Sequence, residues 1–553
     1  MDIFGTTITV LTEIYNITIF IQGVVSDIKA YDSTKLEIQD KLDHEILFLC
    51  CFRDLFFDKE AVMCNDHLHV HLKRDVHIIL MALRKALTEY RMLAAKHELL
   101  DAEINNSELL SFSERVKLKV KDLKRTVDWA LFDKERILKT LAEYSEWTGR
   151  LRQTMSLVLL TLAAFRSSAL GDSTKSKRAK DMGLQDVVAR QALVNSKPPE
   201  DFHGLSGHIV EVSELVHGSR DMRLAKYEDD WCRVEEVVLE YRKYSSELVR
   251  AAHFRLPELD KLKEPIRSLA WLLHTASFTD ARDDDLAATP NQLAIYTLRC
   301  LGFIDQPEQH QTIFLYQLPR QRPLQRTSRI ATLHDWINNV DPHAQQAMSK
   351  PSLGNRFSLA HALCLTLLNI HGSGWIHKNI WSRGIVIFPS TRPLPHSTVP
   401  RFVPYLTGWG FSRPIAGGTD LAADTEVEPN YYRHPIRQGY PEAPFKVEHD
   451  IYALGVVLLE IGLWGTVSCI FKKQMDKAAI ERRLPPPNMI REALVEKART
   501  RLASDMGDSY AMSVERCLRC DFGVDDDDEN RAMLLSAAFR ETVMDTMVGG
   551  MKL

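Results

Sequence analysis

Side chains that could bind a metal occur together at two places in the sequence. Cys64 precedes three histidines, of which His67 and His71 are one helical turn apart, a spacing that lets two imidazoles share a metal ion. Cys517 and Cys520 form a single Cys-x-x-Cys pair, and a zinc site would need two further ligands. The histidine group is more typical of the polar start of a helix. We therefore predict no metal site and no bound cofactor.

A longer series of chemistry-bearing residues lies between positions 370 and 460. Its polar groups are spaced between apolar segments that predict a helix, two short strands, two glycine-containing turns and a second apolar helix. The four segments read IHGSGWIHKNIWSRGIVI (370–387), YLTGWGFSRP (405–414), YYRHP (431–435) and HDIYALGVVLLE (449–460).

This series resembles, in order, the catalytic loop, the D-F-G turn, the end of the activation segment and the following buried helix of protein kinases. The resemblance covers about residues 205–520. Several positions of the kinase motifs are degenerate here: His377, Lys378, Asn379, Gly384, Gly408, Trp409 and Gly410. Asn379 stands in place of the catalytic Asp, Gly384 of the metal-binding Asn, and Gly408 of the metal-binding Asp. An amide is no general base and glycine is no ligand, so the resemblance implies a pseudokinase without enzymatic activity.

The preceding strand and the structural positions complete the resemblance. Residues 238–243 resemble the strand that carries the nucleotide-pairing Lys, with Arg242 at that position and Lys243 beside it; Glu264 is the candidate helix partner. No G-x-G-x-x-G precedes this strand. The positions that keep their structural residue are Pro435, Asp450 and Gly455.

The N-terminal third predicts helices throughout. Proline is absent before Pro198, and apolar residues recur at spacings of three and four. We predict helices near residues 3–28, 34–58, 66–100 and 112–168. Short connections make neighbouring helices antiparallel, which predicts a four-helix bundle over residues 1–170.

The first of these helices is apolar around most of its circumference. Such a helix is either the centre of a bundle or an element that enters lipid, and both interpretations stay open. Glu13, Asn16 and Gln22 disfavour a lone membrane span. A basic stretch early in the fourth helix is a candidate for binding anionic lipid head groups, although a solvated helix face has the same pattern. The candidate membrane residues are Phe4, Ile8, Leu11, Ile14, Ile17, Ile21, Lys117, Lys121 and Lys124.

One motif in this region carries a second resemblance. The segment WALFDKER, with Trp129, Asp133 and Lys134, resembles the W-A-x-x-D-K-x-K signature of fungal HeLo domains of prion-inhibition and propagation proteins. These domains are similar in design to the bundle of the mixed-lineage kinase domain-like necroptosis effector. The resemblance implies that the first helix is the membrane-perturbing element.

The predicted fold class is therefore multidomain, with an all-α N-terminal four-helix bundle and a C-terminal α+β bilobal protein kinase-like fold. The expected boundaries are 1–170 for the bundle, 171–204 for a linker, 205–520 for the kinase-like domain and 521–553 for an acidic loop and C-terminal helix. In the C-terminal part, residues 235–244, 295–304 and 311–318 read as strands.

Composition limits the remaining classes. The 553 residues include 70 Lys and Arg against 74 Asp and Glu, so no overall basic field indicates nucleic acid, and we predict no nucleic-acid partner. Nine scattered cysteines are typical of a reducing compartment. Residues 1–28 carry no Lys or Arg, so the basic start of a secretory signal is missing. We expect a cytoplasmic protein with recruitment to the plasma membrane.

Together these features predict a fungal-type signalling or cell-death effector, whose bundle forms a homo-oligomer and engages anionic membrane lipids when the pseudokinase releases it. The upstream protein trigger is not identified by the sequence. Two alternatives remain: an active atypical serine/threonine protein kinase, and a soluble pseudokinase adaptor that binds partner proteins. Candidate phosphorylation sites for the trigger are Ser412, Thr419, Thr425, Tyr431 and Tyr432.

Overall fold

The computed structural model divides the chain into two compact units, Met1–Ala192 and Leu193–Leu553. The described residues are 3–27, 35–57, 70–96, 134–161, 198–200, 202, 204–215, 222–254, 258–277, 295–319, 331–338, 350–389, 402–415, 417, 426–481, 483–524 and 531–551. The first unit is helical throughout its described part, and the sheets lie in the second.

The helices of the N-terminal unit follow the apolar spacing of the sequence. The described ones are α1 (Ile3–Asp27), α2 (Lys35–Phe57), α3 (Val70–Ala86), α4 (Thr88–Lys96) and α5 (Lys134–Thr161). The first two predicted helices are confirmed almost to the residue, and the third is divided at Leu87. α5 lies inside the predicted 112–168 helix, whose first part is outside the described residues.

α1 packs against α2, α3 and α4, and α5 packs against α2 and α3. Ile14, Ile17 and Phe20 of α1 are fully buried in this contact. The hydroxyl of Thr18 lies 3.0 Å from that of Tyr144 on α5, both buried. α1 thus contributes much of the apolar core of its unit, as expected of a helix with apolar residues on most faces.

The C-terminal unit begins with a five-stranded antiparallel sheet in the order β1-β2-β3-β5-β4. Its strands and adjoining helices are β1 (His208–Leu215), β2 (Met222–Glu228), β3 (Val234–Lys243), α6 (Ser246–His253), α7 (Leu259–Thr275), β4 (Cys300–Gln306) and β5 (Gln311–Gln317). Val237 and Leu239 of β3 pack with Ile313 and Leu315 of β5 in a buried cluster. β3 is central because its alternate residues are apolar and bury one face against this cluster.

The predicted strand at 295–304 was partly wrong. β4 begins at Cys300, and Ile295 instead forms an isolated parallel bridge to Ser277. Its N–H bonds the carbonyl of Ala276, so this apolar stretch fills the core outside the sheet. Apolar runs of this length do not reveal whether their backbone joins a sheet.

The rest of the unit is mostly helical. Its helices are α8 (Leu333–Asn338), α9 (Leu353–Gly372), α10 (Val427–Tyr432), α11 (Val447–Leu463), α12 (Val467–Ile470), α13 (Lys472–Glu481), α14 (Pro487–Lys497), α15 (Ala503–Met506), α16 (Asp508–Arg519), α17 (Arg531–Phe539) and α18 (Asp545–Gly550). Its short strands are β6 (Ala331–Thr332), β7 (Trp375–Ile376), β8 (Ile385–Pro389), β9 (Phe402–Leu406) and β10 (Arg413–Pro414).

α11 is the central helix, and all of its residues are buried. A Cβ at Gly455 would lie 2.7 Å from the Cβ of Cys517, so glycine here permits the close contact between α11 and α16. The C-terminal helices belong to the same unit: α18 packs against α9, where Gly550 faces the ring of Phe357. The described helices of residues 521–553, the segment expected to be an acidic loop and a C-terminal helix, thus pack into this core.

Candidate functional site around the 408–412 turn

The side chain of Asp450, on α11, stabilises the backbone of the loop at residues 377–379. The Asp450 carboxylate is fully buried and accepts hydrogen bonds from the backbone N–H of His377 at 2.7 Å and of Lys378 at 2.8 Å. Lys378 has φ 71°, a left-handed conformation that costs free energy for a non-glycine residue. Asp450 therefore stabilises a strained loop backbone from the centre of the unit.

The charge of Asp450 is maintained despite burial. Burial by itself raises the pKa of this carboxyl, but hydrogen bonding and charge from His371, with His377 and the loop N–H groups, hold the pKa below its ordinary value. His371 Nε2 lies 3.3 Å from Asp450 Oδ2. A buried anion with several donors is the arrangement that keeps such a group ionised.

His377 is buried and packs edge-on against the indole of Trp409, with ring centroids 4.6 Å apart. Burial lowers the pKa of His377 to about 4, so its imidazole is neutral near pH 7. Its Nδ1 accepts a hydrogen bond from the Asn379 N–H at 3.3 Å. This histidine thus supports the loop and the turn as a packing residue.

The three positions where the kinase motifs have the catalytic base and two metal ligands carry Asn379, Gly384 and Gly408 here. Asn379 Nδ2 lies only 2.8 Å from the point that a Cβ at Gly408 would occupy, and Gly408 has φ 91°. The carbonyl of Gly384 accepts hydrogen bonds from the N–H and the hydroxyl of Thr407. A carboxylate at position 408 would require both a strained backbone and movement of Asn379.

The structure places the 408–412 turn against β3. One residue of β3 at this contact, Glu240, was missed by the sequence analysis. Glu240 is 1% exposed, and its carboxylate accepts hydrogen bonds from the N–H of Gly408, at 3.1 Å, and of Gly410. Arg242, two positions further along β3, donates from Nη1 to the carbonyl of Ser412 at 2.8 Å and more weakly to that of Trp409. The period of two in a strand was the available signal, because residues 240 and 242 share a face.

The other nucleotide-binding candidates lie elsewhere. Lys243 is exposed at the end of β3. Glu264 lies on α7, half-exposed, with its carboxylate 3.8 Å from Arg267 of the same helix. Among the ion pairs of the described residues, none joins Glu264 to Arg242. The Arg242 guanidinium instead donates to carbonyls of the 408–412 turn.

Pro435, another position that the resemblance singled out, has a structural role. Pro435 begins a single helical turn, Pro435–Arg437, whose preceding residue His434 accepts a hydrogen bond from the Ile436 N–H through its side chain. His434 stacks on His449 at 4.8 Å between ring centroids, and this connects the segment to the start of α11.

Among the described residues, no group of three or more His, Cys, Asp or Glu side chains could hold a metal ion.

Three of the candidate phosphorylation sites are buried. Ser412, Tyr431 and Tyr432 are at most 3% exposed. The Tyr432 hydroxyl donates to Glu460 Oε1 at 2.6 Å, and burial raises the pKa of Glu460 to about 7. A modifying enzyme cannot reach these hydroxyls in this conformation, so phosphorylation there would require the segment to open first. Thr419 and Thr425 are outside the described residues.

In the N-terminal unit, residues Thr6–Val25 of α1 are long and apolar enough to cross a membrane, and 72% of this window is buried. A core helix of a soluble protein has the same properties. Leu11, Ile14, Ile17 and Ile21 are buried and Ile8 is half-buried. Phe4 and Lys134 belong to helices, but their side chains are outside the described set. Lys117, Lys121, Lys124, Trp129 and Asp133 lie outside the described residues.

The polar side chains of α1 are paired with neighbouring helices. Glu13 Oε2 lies 2.6 Å from Arg84 Nε, and the same carboxylate pairs with Arg91. Thr7 Oγ1 lies 3.0 Å from His77 Nδ1. An unpaired carboxylate within an apolar helix would be costly to bury. The two arginines neutralise the charge of Glu13 inside the unit.

A family model described as a domain of unknown function (DUF7580) matches residues 303–552. The match runs from β4 to the C-terminal helices, and it leaves out β3 with Glu240 and Arg242. No curated protein matches the chain.

Proposed function

We propose that this chain is a fungal-type signalling or cell-death effector, in which a membrane-engaging, HeLo-like four-helix bundle is controlled by a catalytically dead kinase-like domain. One observation carries the proposal. The Asp450 carboxylate supports the 377–379 loop from a buried helix, while Asn379, Gly384 and Gly408 stand where a kinase needs its base and metal ligands. Support for the loop without its chemistry is typical of a docking or switching module.

The chemistry of phosphoryl transfer explains why these three positions matter. A kinase positions its substrate hydroxyl beside a carboxylate base and neutralises the γ-phosphate with metal ions. Loss of a general base alone costs about 10² to 10⁴ in rate, and here the side-chain ligands for the metal are replaced as well. We therefore propose that the chain transfers no phosphate.

The membrane part of the proposal rests on α1. Exposing buried side chains such as Ile14 and Ile17 to water would cost about 1.5–3 kcal/mol each, so α1 can leave its unit only toward lipid or another copy of the chain. This is why we propose a homo-oligomer on activation, bound to anionic membrane lipids. The resting protein would be cytoplasmic and recruited to the plasma membrane by an upstream protein, without nucleic acid.

The test is dye release from vesicles, using residues 1–192, which form a compact unit, beside the full chain. We expect the fragment to release dye from vesicles with anionic lipid and the full chain to release much less. In the fragment, Ile8→Glu should reduce release because it places a charge on the apolar surface of α1. The matched control is Met81→Glu, which places the same charge at a 40% exposed position on α3.

A fragment that binds no vesicles and releases no dye would refute the membrane part of the proposal. Equal release by the fragment and the full chain would refute control by the C-terminal unit. These two results are independent, so each half of the proposal can fail alone.

A second candidate is a soluble adaptor that binds partner proteins through both units. The observation that favours it is the extensive pairing of α1, whose Thr7, Glu13 and Thr18 all contact other helices of the unit. A permanent core helix has the same contacts. In that case the fragment would stay in solution in the presence of anionic vesicles.

A further inference from the structure

Two side chains of β3 contact the 408–412 turn with complementary polarity. The Glu240 carboxylate accepts hydrogen bonds from the N–H groups of Gly408 and Gly410. The Arg242 guanidinium donates hydrogen bonds to the carbonyls of Trp409 and Ser412. The backbone groups of one short turn are thus paired with one strand from the sheet. Charged groups that bond backbone amides and carbonyls make hydrogen bonds about twice as strong as neutral ones.

The turn itself is fixed from its other side. The Trp409 side chain is fully buried, and its Nε1–H donates to Thr297 Oγ1 at 2.8 Å and to the carbonyl of Leu406 at 3.1 Å. A Cβ at Gly410 would lie 3.0 Å from the carbonyl oxygen of Tyr241, so the turn and β3 touch through their backbones. This contact leaves no room for another molecule between Gly410 and Tyr241.

We propose that Glu240 and Arg242 form an internal clamp that takes the place of a bound metal–nucleotide complex in joining β3 to the 408–412 turn. The statement about nucleotide rests on the proposed kinase-like function, whereas the clamp rests on the contacts themselves. In an active kinase a lysine of this strand and a metal ion at the turn hold the phosphates between them. Here the strand supplies an anion instead, and the anion binds the turn directly.

Electrostatics gives this clamp a consequence for ligand binding. Nucleotide phosphates would meet the carboxylate of Glu240, and two negative charges at short range repel one another in a buried site. The N–H groups of Gly408 and Gly410 could receive a phosphate only if Glu240 left them. The unit therefore keeps its conformation without ligand, and separation of β3 from the turn becomes the step that a trigger must drive.

The experiment compares thermal unfolding of the full chain and its Glu240→Ala variant, each with and without ATP and magnesium. We expect no change in the unfolding temperature of the wild-type chain on adding ATP and magnesium. Glu240→Ala should unfold about 5 °C lower, because the buried N–H of Gly408 and the partly buried N–H of Gly410 lose their acceptor. The matched control is Glu236→Ala, an exposed glutamate of the same strand, which should leave the unfolding temperature unchanged.

A rise in the wild-type unfolding temperature with ATP and magnesium would overturn the proposal, as would an unchanged temperature for Glu240→Ala. If Glu240→Ala does not fold, hydrogen exchange of the wild-type chain decides. The amides of Gly408 and Gly410 should exchange at least tenfold more slowly than those of exposed turns; exchange at exposed-turn rates would refute the clamp. Failure of dye release alone would leave these results unchanged, so the two proposals are separable.

Discussion

α1 of the N-terminal unit and α11 of the C-terminal unit are both strongly apolar helices, yet their surroundings differ. Every residue of α11 is buried, whereas α1 keeps exposed or half-buried positions such as Thr6, Ile8 and Thr9. The acids of α11 bind backbone N–H groups of neighbouring segments, Asp450 at residues 377–378 and Glu460 at Val467.

The acid of α1 pairs differently. Glu13 binds the ends of two long side chains, Arg84 and Arg91, which are 27% and 36% exposed. Water can replace a partner of this kind, but a buried backbone N–H that loses its acceptor has no substitute. Apolar composition alone therefore does not distinguish a permanent core helix from one that can leave its unit. The two kinds of helix differ in the groups that pair with their polar side chains.

The largest effect is expected at Asp450. Asp450→Ala removes the acceptor of the buried His377 N–H and of the partly buried N–H of the left-handed Lys378. The C-terminal unit should therefore lose about 3–5 kcal/mol of unfolding free energy in urea. Glu492→Gln is the control, since its contact with Arg519 is half-exposed and contributes little. An Asp450→Ala variant as stable as this control would show that α11 does not hold the loop.

The pH dependence of Glu460 tests the same helix. Burial raises its pKa to about 7, with Glu428 adding to the rise, so the folded chain keeps a proton that the unfolded chain has already lost above about pH 5. Stability of the C-terminal unit should therefore fall as the pH rises from about 5 to 8, by up to about 3 kcal/mol.

The matched variant for this pH dependence is Glu460→Gln, in which the decline between pH 5 and 8 should be largely absent. Denaturant unfolding at several pH values measures both chains. An equal decline in the two chains would mean that Glu460 titrates alike in the folded and unfolded states.

A smaller effect is expected on α1. Glu13→Gln leaves two arginines without their counter-charge, and the partial exposure of both limits the loss to about 1 kcal/mol in the N-terminal unit. The variant should also release vesicle dye at a lower protein concentration, because α1 leaves more easily. Glu146→Gln, at a surface pair with Arg150 on α5, is the control. If the variant lost stability without any change in dye release, the Glu13 contacts would not control whether α1 leaves its unit.

The sequence predicted the long apolar helices well, α1 and α2 in the N-terminal unit and α11 in the C-terminal unit, because repeated apolar spacing over about twenty residues is a strong signal. Asn379 and Gly408, which come from different sequence motifs, lie side by side in the structure. The contact between Glu240 and the turn was not predictable in the same way, since it joins residues about 170 positions apart. The two-residue strands β6, β7 and β10 are too short to leave a pattern.

The burial of Tyr431 and Tyr432 was missed for a related reason. Tyrosines in a segment between strands and helices read as exposed, and only the packing of α10 against α11 shows them to be core residues. Residue types and spacing thus indicate elements and motif order. Which polar groups face one another across the fold is decided by tertiary contacts.

The most direct test of the central claim is to lock α1 to α3 in the fragment of residues 1–192. Thr7→Cys and His77→Cys place two thiols where the native side chains are in contact, in a background with Cys50, Cys51 and Cys64 replaced by alanine. A short thiol cross-linker then joins the helices, and dye release from anionic vesicles is compared before and after cross-linking.

If α1 must leave its unit to engage the membrane, the cross-linked fragment will release almost no dye, while the same protein without cross-linker will release it as the unlocked fragment does. Equal release by the cross-linked and free forms would contradict the account, because α1 would then be a fixed core helix like α11.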